Sequence, residues 1–388
     1  MTADLVVPLI VGVGLGICFQ KGRFCFVNAF RDFFAYKDSR VTKGILVAIL
    51  FTMGFWSIAY ALGYYQAFWL PGWGLTGLVG GFIFGIGMTY AGGCASGTLY
   101  RAGQGYLHFW ITLLFMGVGY VAFVLVFPTL QTAYFAPLTF GAGFTFFSVS
   151  PLPAPVLVLV VWAITIVGYA WLRGYDLTTG TESDSGSTAS VQRGFTTIGT
   201  GLRSLANGTR AYLRGFFEID NPIAASKRPW DPRTAALGIS VFALIWFMNV
   251  SIVGITGPEA RWAGYLLQQV GITAGQYAYW GSILFHGEGI RVTADMVMIG
   301  AVIVGAFLAA VWSGDFTLRM PKTRRLPNAV VGGFLMGTGS RLAPGCNVGN
   351  IYSGLAELSA HSFIATIGIV AGVYVMTHWL YRDIGCAI

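Results

Sequence analysis

Charge is the scarcest commodity in this 388-residue chain: Asp, Glu, Lys and Arg together make up 10% of it, against roughly 25% in a soluble domain. So few charges cannot cover a water-facing surface of this size, so much of the surface must face lipid. Cysteine is also sparse. The five residues at 18, 25, 94, 346 and 386 form neither a CxxC pair nor a zinc spacing, so neither a disulfide framework nor a metal site is expected. The four histidines are scattered and give no ligand pattern for haem or a quinone enzyme. No GxxxxGK[ST] loop is present, which excludes the usual ATP-driven pump. The opening Met-Thr-Ala-Asp lacks a basic segment, so the first apolar run reads as a helix rather than a cleaved signal.

What is abundant is apolar bulk and glycine: 55% hydrophobic residues and 54 glycines. The bulk excludes disorder, and the glycines follow no period-three repeat. The fold class is therefore an all-α polytopic membrane protein. Apolar runs occur near Val6–Phe19, Ile45–Tyr64, Leu75–Ala91, Phe109–Phe127, Pro155–Leu172, Ala235–Val253, Val292–Trp312, Ala329–Leu342 and Phe363–Leu380. The net charge of +8 does not indicate nucleic acid. Eighteen of the 23 Lys and Arg residues lie within Lys21–Lys43, Arg173–Arg233 and Arg319–Arg325, the pattern of cytoplasmic loops. Nine crossings put all three clusters inside, with the N-terminus outside and the C-terminus in the cytoplasm. Tyr265–Phe285 and Ala136–Val149 would then dip into the membrane from the outer side. Residues 174–233, with Thr-Glu-Ser-Asp-Ser-Gly at 181–186, read as a cytoplasmic linker between transmembrane halves 1–173 and 234–388. Within it, Leu202–Phe217 has the mixed composition of a surface helix at the headgroups.

The chain contains an internal repeat. Val79-Gly80-Gly81-Phe82 matches Val331-Gly332-Gly333-Phe334 at an offset of 252, and without a gap Gly85, Gly87, Gly93, Cys94, Gly97 and Tyr100 match Gly337, Gly339, Gly345, Cys346, Gly349 and Tyr352. The charge pattern makes the two segments run in opposite directions, an inverted repeat whose broken helices meet near the midplane. Both runs stop at a Gly-Cys pair and resume beyond it. Breaks of that kind survive at membrane depth only where protein buries them or a polar cavity lines them.

A helix restarting after each break points free N–H groups and a partial positive charge inward, which suits an anion. Gly93, Ser96 and Gly97 in one turn, and Gly345, Asn347 and Gly349 in the other, are the expected anion-binding elements. Cys94 and Cys346 add a soft, weakly donating thiol, better matched to sulfur than to oxygen. Cys25 is a third such thiol, with Lys21 and Arg23 beside it as charges at the mouth of the path. Cys18 and Cys386 read as buried apolar residues.

Arg23-Phe24-Cys25-Phe26-Val27-Asn28, Gly92-Gly93-Cys94-Ala95-Ser96-Gly97 and Pro344-Gly345-Cys346-Asn347-Val348-Gly349 together resemble the YeeE/YedE family of sulfur-transport membrane proteins. The resemblance spans both repeats. It implies an inner-membrane importer of thiosulfate, with some members tied to selenium, and a path marked by Cys25, Cys94 and Cys346. The expectation is thus uptake of thiosulfate or a related sulfur anion, without covalent chemistry and with no cofactor or metal. A selenium-compound importer is the near alternative. A membrane thiol oxidoreductase or sulfurtransferase, cycling Cys94 and Cys346 through a disulfide or persulfide, is the alternative of another class. The candidate partners are membrane lipid and a small cytoplasmic sulfurtransferase docked on the basic loops, not nucleic acid.

Overall fold

The computed structural model describes residues 3–65, 67–179 and 227–382. Most of the expected linker, including the candidate surface helix at 202–217, lies outside them, as does Cys386. Among the described residues, twelve α-helices of nine residues or more carry the fold: α1 Ala3–Lys21, α2 Phe26–Tyr36, α3 Arg40–Ala61, α4 Leu75–Ala91, α5 Ala95–Gly103, α6 Leu107–Leu130, α7 Ala154–Thr179, α8 Pro232–Asn249, α9 Thr256–Gln269, α10 Ala294–Ser313, α11 Leu326–Leu342 and α12 Ala360–Arg382. The strands among the described residues are a two-stranded ribbon, Trp73–Gly74 with Thr139–Gly141.

The protein is an all-α multi-pass membrane protein. Among the described residues, six helical stretches are long and apolar enough to cross: 5–36, 40–61, 75–103, 107–138, 294–313 and 360–380. The other three expected crossings coincide with α7, whose apolar part is 154–168, with α8, and with the 17-residue α11. Large apolar side chains such as Leu114, Leu159, Ile164, Val304 and Ile367 point outward from these helices, where only lipid removes them from water.

The repeat seen in the sequence is a symmetry of packing. Helices α4 and α11 cross antiparallel. A Cβ added at Gly80 would stand 2.2 Å from the Ala343 amide nitrogen, and one at Gly332 2.6 Å from that of Ala91. Each contact is the other's image under the 252-residue offset. The same exchange relates α4 packed on α12 to α11 packed on α6. Gly85 lies against the Ile369 carbonyl and Gly337 against that of Met116, a Cβ standing 2.3 Å from either oxygen. Glycine here lets backbones touch, which is how helices associate where lipid supplies no hydrophobic drive. Helices α1 on α10 and α8 on α3 complete the set.

Both spans break where the sequence indicates, by different turns, but the breaks do not meet at the midplane: Gly80 lies on Ala343 and Gly332 on Ala91, so the two turns fall at opposite ends of the crossed pair. Helix α4 closes on Gly92 in the left-handed region (φ +74°), with the Gly93 N–H returning to the Met88 carbonyl. Helix α11 closes on Gly345 at φ +125°, with its N–H on the Ser340 carbonyl at 2.8 Å. The chain then resumes as a regular α5 in the first repeat but as a wider π-turn over Val348–Gly354 in the second. Such π-segments concentrate at functional sites.

The segments expected to dip in from the outer side differ from each other. Ala136–Val149 is a short turn, an edge of the ribbon and another short turn, mostly half-exposed. In Tyr265–Phe285, by contrast, Tyr279 and Trp280 are buried and Tyr279 packs edge-on against Phe123. The basic stretch Lys21–Lys43, expected as a cytoplasmic loop, holds α2, an 11-residue helix.

Candidate functional site

Cys25 and Cys94 meet at the tips of two helices. Cys25 is the N-cap residue of α2 and Cys94 that of α5, and their sulfurs lie 3.5 Å apart with neither residue exposed. The Cys94 sulfur accepts the Gly97 N–H at 3.3 Å and touches the Ser96 hydroxyl at 3.4 Å. A thiolate-like acceptor position filled by a neutral thiol is a weak cap. The helix end is therefore satisfied only loosely, and a better acceptor could compete for it. Gly97 makes room for the sulfur pair: a Cβ there would lie 2.7 Å from the Cys25 sulfur and 3.2 Å from that of Cys94. Gly93 makes room for the Phe109 ring, which a Cβ would approach to 2.6 Å.

Cys346 is buried as well (1% exposed), but it lines a cavity of about 570 Å³ together with Gly345 and Gly349. The thiol in contact with Cys94 is Cys25. Asn347 is fully buried, and neither its side-chain oxygen nor its nitrogen has a hydrogen-bond partner. Unsatisfied groups at such depth are costly and call for a ligand or water. Cys18 packs on Gly238 in the core.

A second, larger cavity of about 1130 Å³ opens at the other end of the molecule. Helix α6 shows the separation: Phe109 lines the large cavity and Phe127 the small one, 18 residues or about 27 Å apart along the axis. The large cavity is a basic vestibule, with Arg23, Arg31, Arg101, Arg319, Lys322 and Arg325 against one carboxylate, Asp315. Arg23 stands in it with a left-handed backbone (φ +47°). Lys21 does not: it is buried, and its ammonium donates to the Ser313 hydroxyl and the Lys227 carbonyl.

Two arginines escaped the sequence reading because they lie outside the charge clusters. Arg101 donates to the Gly92 carbonyl at 2.7 Å and to the Tyr100 hydroxyl at 3.2 Å, so it staples the broken turn while charging the vestibule. Arg341 is buried beside the small cavity. The offset of 252 pairs Arg101 with Ser353 and Arg341 with Thr89, so each cavity receives one arginine that the other repeat lacks. Departure from the repeat at those two positions was the available signal. Helix α9 was missed likewise; its first residues, Thr256 and Gly257, line the small cavity as an open N-terminus.

A sulphur-transport family model matches residues 21–375. A protein of Spirochaeta thermophila named thiosulfate transporter TsuA is 29% identical over 390 residues, covering 96% of this chain and 98% of that protein. The thiosulfate transporter TsuA of Escherichia coli K12 is 29% identical over 396 residues, covering 98% and 96%. The probable transporter YedE of Salmonella typhimurium is 34% identical over 146 residues, covering 37% and 36%.

Proposed function

Because the chain belongs to the sulphur-transport family, we propose that it carries thiosulfate into the cytoplasm along Cys25, Cys94 and Cys346, making and breaking no covalent bond in the substrate. The full-length relatives named for thiosulfate support the substrate. The observation that carries the path is the pair of sulfurs 3.5 Å apart at the tips of α2 and α5.

A bare dianion in hydrocarbon faces a barrier of tens of kcal/mol by Born estimates. Helix N-termini lower it with about half a positive charge each and free N–H groups, without the grip of a full ion pair, so the anion can leave again. Thiosulfate differs from sulfate in its terminal sulfur, a large, soft acceptor. Neutral thiols donate to it weakly, and the Cys94 sulfur, which accepts the Gly97 N–H, also touches Cys25 and the Ser96 hydroxyl. The anion enters the small cavity beside Cys346, passes the Cys25–Cys94 pair and leaves through the basic vestibule.

The positive-inside rule makes the vestibule cytoplasmic. That sets the N-terminus outside and the C-terminus inside the inner membrane, with halves 1–173 and 234–388 each supplying one Gly-Cys turn on either side of linker 174–233. A small sulfurtransferase receiving the anion at the vestibule is the matching partner.

Purified protein in liposomes tests this reading. Labelled thiosulfate should enter faster than sulfate or selenite, and Cys94→Ala and Cys346→Ala should each cut uptake at least about tenfold while Cys18→Ala does not. Mass spectrometry after turnover should find Cys25, Cys94 and Cys346 as free thiols. Stoichiometric sulfite with a persulfide on Cys25, or a Cys25–Cys94 disulfide formed during turnover, would reject the conduit in favour of an enzyme.

A further inference from the structure

The second broken turn is strapped by a segment of the first half. Residues 67–72, between α3 and α4, run along the wall of the small cavity, to which Trp69 and Pro71 contribute. A Cβ at Gly345 would stand 2.7 Å from the Trp69 ring, so the strap lies on the break itself. Two side chains at and just before the start of α12 fasten it. The Glu357 carboxylate accepts the Trp69 N–H at 3.3 Å. The His361 ring meets the Gly72 carbonyl at 3.1 Å through Nδ1 and the Ala343 carbonyl, at the end of α11, at 3.0 Å through Nε2. Neither residue has any exposed surface.

His361 is one proton short of satisfying its surroundings. A neutral imidazole carries a single N–H, and both of its nitrogens here face carbonyl oxygens, which only accept. The neutral ring therefore turns one lone pair on an oxygen within 3.1 Å, whereas the imidazolium donates to both. Around the ring stand Gly77 of α4, Trp69 and Gly72 of the strap, and Ala343, none of them titratable. No ion pair among the described residues includes His361 or Glu357. On the cavity wall that the strap shares, Arg261 pairs with Asp295, Arg341 donates to the Thr256 and Tyr279 hydroxyls, Cys346 is buried, and His286 is exposed.

We propose that His361 is a proton-binding latch. Taking up a proton ties the strap at Gly72 to the broken turn at Ala343; losing it frees one of the two anchors, and the strap lifts from the cavity wall. Glu357 holds the strap by a bond that needs no added proton, since a backbone N–H donates to either form of a carboxyl group. Exchanging a charge-assisted bond for a bare lone pair shifts the ratio of lifted to fastened strap by roughly 10- to 100-fold. The latch stands whatever anion the cavity holds.

The experiment titrates the full chain in nanodiscs over roughly pH 5–8, where imidazole changes charge. With nitrogen-15 in its four histidines, the His361 ring, assigned by elimination from His108→Gln, His286→Gln and His378→Gln, should show two N–H nitrogens at the acid end and one at the alkaline end. A spin label at Ala67→Cys, exposed on the strap, is read in Cys386→Ser protein, where Cys18, Cys25, Cys94 and Cys346 are buried. It should be immobilised in acid and mobile in alkali, with the same midpoint as the ring. His361→Gln, which cannot titrate, should hold the mobility constant, while His286→Gln and Glu357→Gln should keep the transition. In liposomes, labelled thiosulfate uptake should rise about tenfold from external pH 5.5 to 8 in wild type and stay flat in His361→Gln. That arm alone rests on the transport reading: a protein that moves no thiosulfate sinks that reading and leaves the latch to the two spectra. A ring whose protonation does not change over the range, or a label transition that survives in His361→Gln or disappears in Glu357→Gln, overturns the latch. If His361→Gln does not fold, the wild-type background decides, and a label transition that is absent or that departs from the ring's midpoint overturns it.

Discussion

Gly97→Ala separates packing at the thiols from stability of the helix that carries them. Gly97 sits in the first turn of α5 with an ordinary helical backbone, so alanine should favour the helix by up to about 1 kcal/mol. Its Cβ, however, would stand 2.7 Å from the Cys25 sulfur and 3.2 Å from that of Cys94. Comfortable contact lies at roughly 3.5–4 Å, so Cys25 must retreat by about 1 Å into a site with no exposed surface. Overpacking of that kind costs about 1–3 kcal/mol. The net cost to global stability is then at most about 2–3 kcal/mol, within the usual margin of a folded domain, and the protein should remain folded. The displacement falls on the sulfur pair, where 1–3 kcal/mol corresponds to roughly a 5- to 150-fold loss. Its repeat counterpart is a built-in control: a Cβ at Gly349 meets nothing within 4 Å. Gly349→Ala should stay within about twofold of wild type. Initial rates of labelled thiosulfate uptake, normalised to folded protein by size exclusion, provide the comparison. Wild-type rates in Gly97→Ala alongside impaired Gly349→Ala would refute the thiol-pair reasoning.

Two further outcomes are expected. Lys322→Cys, exposed in the basic vestibule, should react with an impermeant thiol reagent only from the cytoplasmic side, and Glu288→Cys, in the exposed loop leading from the small cavity, only from outside; the reverse pattern would invert the proposed orientation. Gly85→Ala and Gly337→Ala, whose Cβ atoms would each press to 2.3 Å on a carbonyl of the neighbouring helix, should both destabilise the protein by about 1–3 kcal/mol in detergent melts, while Gly117→Ala, with open space around it, should not; equal melting temperatures for all three would contradict the packing symmetry.

The sequence alone determined what one-dimensional spacing can encode. Scarce charge and apolar length dictated a helical membrane protein, because lipid leaves few other solutions. An ungapped repeat located both broken turns, since matched Gly-Cys pairs mark where α4 and α11 stop, and matched glycines such as Gly80 and Gly332 let those helices touch. Short local motifs singled out Cys25, Cys94 and Cys346. Which of these thiols touch was decided in three dimensions. Cys25 reaches Cys94 only because α2 and α5 aim their N-termini at each other across 69 residues of chain, and nothing in the spacing of either motif records that approach. Arg341 and Arg101 gained their meaning in the same way. In sequence each is a lone charge in an apolar stretch; in the fold one is a buried cation held by the Thr256 and Tyr279 hydroxyls beside a cavity, and the other closes a turn it is nine residues from. Electrostatics and packing depend on distances through space, so the sequence could name the elements of the path while the tertiary structure alone arranged their charges around it.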